Sequence, residues 1–357
     1  MKIGIYGGSF NPIHKGHVAI AEQAIRELKL DKLYFIPAFK SPFKSKIKYV
    51  SIEDRINMIN FVKPEKTEVS LFEANRKGVS YTIDTVRYFK QQFPDDELYL
   101  IIGSDNLYKL NKWKSIDEIA EMTQIVIFKR KGAFSKENIK KYNALLLKNE
   151  LFDFASSWFR KGYLQNVDEK VMKYISSKYL YVTDILVNMV DAKRHKHSLA
   201  VGSLAAQYAK HIKLDPKKAW FAGTFHDITK GMGKKWHREF LETRGLDDPK
   251  IEDYKLHSLS AYYWIKDKYK LEDKMILNSI KVHTTLDLEL SQFDKLVYAA
   301  DKLAEGRKFP GIQEARDLMF SNFEAGFKNI VKITYDHLIK TTGKMTEKQQ
   351  NIYERWI

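Results

Sequence analysis

Two sets of residues in this chain have the types and spacing for phosphate chemistry, and they lie in different halves. The first is Gly7-Gly8-Ser9-Phe10-Asn11-Pro12-Ile13-His14-Lys15-Gly16-His17, placed between an apolar run and an amphipathic one. Paired glycines let a backbone approach a ligand, and a helix amino terminus offers unpaired N–H groups and partial positive charge to an anion. His14 and His17 flank Gly16, so their imidazoles can converge before the helix and donate to phosphate oxygens. In nucleotidyl transfer the attacking phosphate is already nucleophilic and pyrophosphate leaves readily, so positioning and electrostatics suffice. Each well-placed donor contributes ~3 to 4 kcal/mol to the transition state. The run is neither a Walker loop nor a dinucleotide fingerprint with its third glycine. Taken alone, a His-x-Gly-His would serve equally well as a helix cap beside a turn.

The second set is Arg194-x-x-His197, His226-Asp227, His257, His283 and Asp301, each on or beside a stretch of helical periodicity. A lone His-Asp pair carries little information; the set carries more. The chain has no cysteine, so imidazole and carboxylate are the ligands a divalent transition metal would find. The four histidines and two aspartates can hold two metals with Asp227 as the bridge, which activates water and clamps phosphoryl oxygens together. That is hydrolytic chemistry on a phosphate ester or anhydride. His195, His211 and His237 fall outside the pattern and read as structural or exposed.

These residues must be positioned by two different kinds of fold. At 357 residues the chain is long for one core, so two domains are expected. In the first half, strand-like segments at 2–6, 33–37, 68–72, 98–102 and 124–128 alternate with amphipathic stretches through Ile20 to Leu28, 53–62 and 82–93. Alternation of this kind predicts an α/β doubly wound parallel sheet, Rossmann-like, with ligands beyond the carboxyl ends of the strands. After about Tyr181 helical segments follow one another at 184–192, 197–211, 216–225, 257–269, 272–282 and 294–304, which predicts an all-α second domain over 182–357. The stretch 320–357 reads as helical and otherwise uninformative.

Composition narrows the class. With 44% hydrophobic and 30% charged residues the chain is that of a soluble globular protein, and no apolar run approaches the ~18 residues of a membrane span. Its amino terminus is too quickly interrupted by glycine to be a signal-peptide core, so a cytoplasmic location is expected. The net charge of +16 comes from lysines spread along the chain. It attracts anions, but no arginine-rich tract or aromatic-interleaved motif points to a specific nucleic acid.

The first segment resembles the adenylyltransferase superfamily that contains nicotinate-nucleotide adenylyltransferase, and the likeness runs to about Tyr181. Its further blocks are Pro37 through Pro42 to Lys44, then Arg55 and Met58, Ser80-Tyr81-Thr82-Ile83-Asp84-Thr85, and Ile101-Ile102-Gly103-Ser104-Asp105 with Leu110 and Trp113. Ser156-Ser157-Trp158-Phe159-Arg160 stands where that family has Ser-Ser-Thr-x-x-Arg, with Trp158 in place of threonine. The resemblance implies transfer from ATP, carried with Mg²⁺, to nicotinate mononucleotide, with His14 and His17 as the catalytic groups. Gly7, Gly8, Ser9, Phe10, Lys44, Gly103, Asp105, Ser156, Ser157 and Arg160 would bind ATP and its phosphates. Tyr81, Thr82 and Trp113 would bind the pyridine nucleotide. A phosphopantetheine or other mononucleotide adenylyltransferase shares the first motif; the Ser80 to Thr85 and Gly103 to Trp113 blocks favour nicotinate mononucleotide.

The second segment, roughly 185–315, resembles the HD superfamily and its bacterial symmetrical dinucleoside-tetraphosphate hydrolases. Phe225-His226-Asp227-Ile228-Thr229-Lys230, His283-Thr284-Thr285 and Ala300-Asp301-Lys302 through Arg307 to Gly311 carry the likeness. It implies His197, His226, Asp227, His257, His283 and Asp301 as ligands of two divalent metals, iron or manganese. Asp227 would serve in catalysis, and Arg194, Lys230 and Arg307 would face substrate phosphates. The substrate implied is diadenosine tetraphosphate, cleaved to two ADP. Leu286-Asp287-Leu288-Glu289 replaces the expected Gly-Arg-Pro stretch, a change that bears on specificity.

Three readings are compatible with these sites: a bifunctional enzyme, a transferase with a nucleotide-sensing HD domain, and an RNA-binding protein on inactive folds. The complete ligand set disfavours the second, and the intact first motif with no RNA motif disfavours the third. The partners expected are small nucleotides, with no membrane; a homo-oligomer is compatible with all three.

Overall fold

The structure, a computed structural model, describes the chain except residues 41–48, 133, 135, 149–154, 247 and 343–344. It divides into two units, Met1–Tyr174 and Ile175–Ile357. The division falls inside a helix, seven residues before the change of pattern read near Tyr181.

In the first unit the apolar runs are too continuous to leave one face in water, which suits strands covered on both sides. They form β1 (Lys2–Gly8), β2 (Lys32–Pro37), β3 (Thr67–Val69), β4 (Glu97–Gly103), β5 (Gln124–Phe128) and β6 (Leu145–Leu147). All pairings are parallel, in the order β3-β2-β1-β4-β5-β6. The chain therefore leaves β1 in one direction and returns beside it in the other. The crevice between the carboxyl ends of β1 and β4 is the switch point at which such sheets bind ligands.

The helices of this unit are α1 (Lys15–Leu28), α2 (Ile52–Val62), α3 (Phe72–Arg76), α4 (Thr82–Gln92), α5 (Ile116–Met122), α6 (Glu137–Lys141), α7 (Ser156–Arg160) and the start of α8 (Glu169–Lys178). Ile83, Val86 and Phe89 of α4 pack with Ile3, Ile5, Leu100, Ile102, Ile125 and Ile127 of the sheet. Each such burial stabilises the unit by about 1.5 to 3 kcal/mol.

Two expectations are corrected here. The third strand stops at Val69 because Ser70 N–H makes the last ladder bond, to Phe35 O at 2.9 Å, and the chain then turns. Phe72 opens α3 instead, stacked on Tyr88 with ring centroids 4.3 Å apart. β6 was not expected at all: Leu145 and Leu146 lie on an exposed edge and bring little periodic signal.

The second unit is helical. After α8 come α9 (Val182–Met189), α10 (Ala192–His211), α11 (Pro216–Phe225), α12 (Lys234–Glu242), α13 (Leu256–Asp267), α14 (Lys274–Val282), α15 (Gln292–Leu303), α16 (Ile312–Ser321), α17 (Phe323–Thr342) and α18 (Glu347–Trp356). Aspartates cap α10, α11 and α14: the Asp191, Asp215 and Asp273 side chains accept first-turn N–H groups, as short acidic residues do at an N-cap. Helices α10 and α11 meet through glycine. A Cβ on Gly223 would lie 2.9 Å from the Gly202 Cα, so only two glycines permit this backbone approach. Among the described residues no helix is long and apolar enough to cross a membrane.

Candidate functional site

The first unit holds a cavity of about 650 Å³ at the β1/β4 crevice. Four of the stretches in its walls hold residues expected from sequence: Gly7, Gly8, Ser9, His14 and His17 from the β1–α1 turn; Tyr81 and Thr82 at the start of α4; Gly103, Asp105 and Trp113 after β4; Ser156, Ser157 and Arg160 of α7. A Cβ on Gly7 would meet nothing within 4 Å, whereas one on Gly8 would collide with the Phe10 ring at 2.9 Å. Glycine thus opens the floor at one position and makes room for Phe10 at the next.

His14 is the N-cap of α1 and His17 lies one turn inside it, with the rings stacked at 3.6 Å between centroids. The His14 backbone N–H donates to His17 Nδ1 at 3.2 Å, which leaves the His17 proton on Nε2. Burial, reinforced by the Arg130 charge, pushes His14 down to about 3, so it is a neutral imidazole at physiological pH. His14 Nδ1 is buried without a hydrogen-bond partner.

The turn is braced from behind. Arg55, 1% exposed, donates through Nη1 to Ser9 O at 2.8 Å and to Ala38 O at 2.7 Å, tying the β1 and β2 ends together. Ser156 Oγ donates to Pro12 O at 2.9 Å, and Arg160 Nη1 to Asn11 O at 2.6 Å.

Phe10 lies outside the wall of the cleft. It is buried against Tyr6, His17 and Phe35 and supports the turn from below. Trp158 is likewise absent from the wall; it is 40% exposed and leans on Tyr163. Lys44 and Pro42 fall outside the described residues. Sequence reading missed Arg130, Lys112, Lys114 and Glu73, all of which line the cleft. Arg130 follows β5 directly and pairs with Asp105 at 3.4 Å, so its place beyond a strand's carboxyl end was the available signal. Glu73 accepts from Thr85 Oγ1 at 2.6 Å, and burial raises its carboxyl above the usual range.

In the second unit the close α10–α11 approach brings His197 beside His226, with rings 5.4 Å apart. His226 and His283 occupy the C-caps of α11 and α14, where carbonyls lack helical partners. Their Nδ1 atoms bond Gly223 O and Ile280 O, both at 2.7 Å. That fixes the proton on Nδ1 in the neutral ring and turns each Nε2 lone pair inward.

What those lone pairs face is carboxylate oxygen. His226 Nε2 lies 3.5 Å from Asp227 Oδ2 and 3.5 Å from Asp301 Oδ1, while His257 and His283 Nε2 both lie 3.4 Å from Asp227 Oδ1. His197 Nε2 stands 3.0 Å from Asp301 Oδ1. Two ligand groups result, His197-His226-Asp227 and Asp227-His257-His283, with Asp227 common to both. His226 Nε2 and Asp227 Oδ1 are buried with no hydrogen-bond partner. Acceptors turned toward one another repel unless a cation or proton lies between them, so this donor set fits divalent metal.

Charges around the centre follow the same logic. Burial opposes ionisation of Asp227 and Asp301, yet His226 and His283 beside the first, and Lys302, His197 and His226 beside the second, hold both far below the usual carboxylate range. Burial also disfavours the His226 imidazolium, but Asp227 and Asp301 outweigh it and raise that ring. Burial pushes His257 down to about 2. Lys230 reaches Asp227 at 2.8 Å, and Arg307 and Lys302 reach Asp301 at 2.9 and 2.7 Å. Lys302 was not expected in this role. Arg194 pairs with Asp191 at 2.8 Å, its guanidinium 3.3 Å from where a Cβ on Gly231 would stand, beside Lys230. His237 is buried and bonds Ser260 Oγ at 2.8 Å, a structural role.

Comparison with known proteins agrees with this division. Residues 5–181 match the Cytidylyltransferase-like family and residues 194–306 the HD domain. A Mycoplasma genitalium protein named "Probable nicotinate-nucleotide adenylyltransferase/Ap4A hydrolase" is 36% identical over 86% of this chain and 88% of its own length. A Mycoplasma pneumoniae protein of the same name is 34% identical over 84% and 87%. The crystal structure of a predicted HD superfamily hydrolase involved in NAD metabolism, from Clostridium acetobutylicum, aligns with 50% of this chain and 96% of its own at 26% identity and a TM-score of 0.47. With a Cytidylyltransferase-like match preceding an HD domain, and similarity to the two Mycoplasma proteins extending over most of each chain, the protein belongs to the nicotinate-nucleotide adenylyltransferase/Ap4A hydrolase family.

Proposed function

We propose that the chain carries two activities: adenylyl transfer from ATP to nicotinate mononucleotide in residues 1–181, and metal-dependent hydrolysis of diadenosine tetraphosphate in residues 182–357. The observation that carries this reading is convergence, since in each unit polar residues dispersed along the sequence meet at one point.

In the first cleft the mononucleotide phosphate attacks the α-phosphorus of magnesium-bound ATP; the new P–O–P bond forms as the α–β bond breaks and pyrophosphate leaves. The neutral His14 ring and the His17 ring donate N–H to the oxygens on which charge grows. Ser157, Arg160 and Arg130 hold the phosphates, and Asp105 orients Arg130. Tyr81 and Trp113 flank the pyridine ring, while Thr82 at the start of α4, with Lys112 and Lys114 in the same wall, favours a nicotinate carboxylate over an amide.

In the second centre, His197, His226, Asp227, His257, His283 and Asp301 would hold two divalent ions, iron or manganese. When bound, such ions supply Lewis-acid activation of water and neutralise phosphate charge. Lys230, Lys302, Arg307 and Arg194 add positive charge for the polyphosphate, and cleavage at its central anhydride gives two ADP. A cytoplasmic setting suits these substrates.

The test presents diadenosine tetraphosphate with Fe²⁺ or Mn²⁺ to the purified chain and to a His226→Ala/Asp227→Ala double variant, and ATP with nicotinate mononucleotide to both. ADP as sole product, lost only in the variant, with adenylyl transfer intact in both, is the expected result. Absence of hydrolysis with either metal would move the HD domain to a nucleotide-sensing role.

A further inference from the structure

The carboxy-terminal helix α18 packs on α17 through Phe327–Trp356 and Tyr335–Tyr353, and it also reaches three segments that lie within a few residues of candidate metal ligands. Its start is fixed by a capping box in which Thr346 and Gln349 serve each other. The Gln349 amide then reaches out to Tyr254 and to Glu252, the latter at 3.5 Å, in the segment just before His257. At the other end the Trp356 indole N–H donates to Asp287 O at 2.7 Å, four residues after His283. The same indole lies under Lys295 Nζ at 4.8 Å, on α15, which also bears Asp301.

The segment held by Trp356 needs holding. Leu286 has φ +56° and is buried, a left-handed conformation that a side chain with a Cβ adopts only under constraint. Just before it, Thr284 Oγ1 sits 3.1 Å from both His257 Nε2 and His283 Nε2. The bond to the neighbouring carbonyl of Asp287 therefore fixes the backbone from which this hydroxyl is presented.

We infer that α18 is a positioning element of the metal centre: through Trp356 and Gln349 it sets the spacing of His257 and His283, and so governs the Asp227-His257-His283 ligand group far more than the His197-His226-Asp227 group. The inference rests on reading the HD centre as a metal site. Among the described residues Gln349 and Trp356 make no side-chain hydrogen bond to α10, which carries His197, or to α11, which His226 caps; these two helices are locked by the Gly202–Gly223 contact instead.

The experiment titrates Mn²⁺ calorimetrically into the full chain, Trp356→Phe, Gln349→Ala and a chain lacking residues 346–357. Hydrogen exchange of peptides spanning 282–290 and 195–203 is followed in the metal-free proteins. Trp356→Phe keeps an aromatic ring beside Lys295 and removes the indole N–H together with its five-membered ring. It should weaken one of two Mn²⁺ equivalents by about tenfold, the scale for groups that orient ligands, and leave the other within about twofold. Exchange should rise across 282–290 and stay unchanged across 195–203, with adenylyl transfer unaltered. Unchanged affinity and exchange in Trp356→Phe would overturn the inference, as would equal weakening of both equivalents. A wild-type chain that binds no Mn²⁺ at all would instead refute the metal-site reading beneath it.

Discussion

His14 links the first cleft to the stability of its unit. In the unfolded chain its imidazole has the ordinary value of 6.5, whereas in the fold burial and Arg130 push it down to about 3. As pH falls below 6.5 the unfolded chain takes up a proton that the folded chain refuses, so stability is full above the unfolded value and declines toward the folded one. Between pH 7.5 and 4.5 this amounts to about two pKa units of differential protonation, or about 2.7 kcal/mol at 1.36 kcal/mol per unit. His14→Gln removes the titration while keeping a neutral polar side chain. Urea unfolding at each pH, read by hydrogen exchange of β1 and β4 peptides so that the first unit is seen separately, should show the wild type losing about 2.7 kcal/mol more than His14→Gln over that range. Loss should level off near pH 3, where both states are protonated. Parallel pH profiles would mean that His14 ionises freely in the fold, and would refute its role as a neutral donor.

Gly103→Ala would place a Cβ 2.4 Å from Asp105 Oδ1 and 3.1 Å from Arg130. Displacing that pair should raise the KM for ATP by about tenfold in steady-state kinetics while leaving the thermal melt nearly unchanged, because the atoms displaced belong to flexible, part-exposed side chains. Trp158→Thr restores the hydroxyl expected from the resemblance, yet the side chain is exposed and away from the cleft wall, so the KM for ATP should stay within about twofold in steady-state kinetics. Chelation should lower the melting of the second unit, since an ion at a hundredfold excess over its Kd contributes about 2.7 kcal/mol. Asp227→Ala, lacking the shared ligand, should melt at the same temperature with and without chelator in calorimetry.

The amino-acid sequence alone determined the two fold classes, because periodicity reports burial: the continuous apolar runs of β1, β4 and β5 need cover on both faces, and the 3.6-residue stripes of the second half need helical neighbours. It also determined the ligand types, since a chain without cysteine leaves histidine and carboxylate for metal. Pro216 at the first turn of α11 and the residues ending β5 fixed those elements closely. Edges and turns were less legible. Phe72 left the strand for a helix because its stacking partner Tyr88 is sixteen residues away, and Phe10 went under the turn because Tyr6 and Phe35 close around it.

Tertiary structure decided what no local pattern encodes. Arg130 entered the cleft only because β5 ends beside β4, and Lys302 faced the candidate metal site only because α15 turns Asp301 inward. The helix over 347–356, legible as a helix, had no functional reading until Trp356 met Asp287, 69 residues away in sequence. Contacts of that span depend on which surfaces remain after the local elements have formed, and a sequence window fixes the elements without fixing the surfaces that meet.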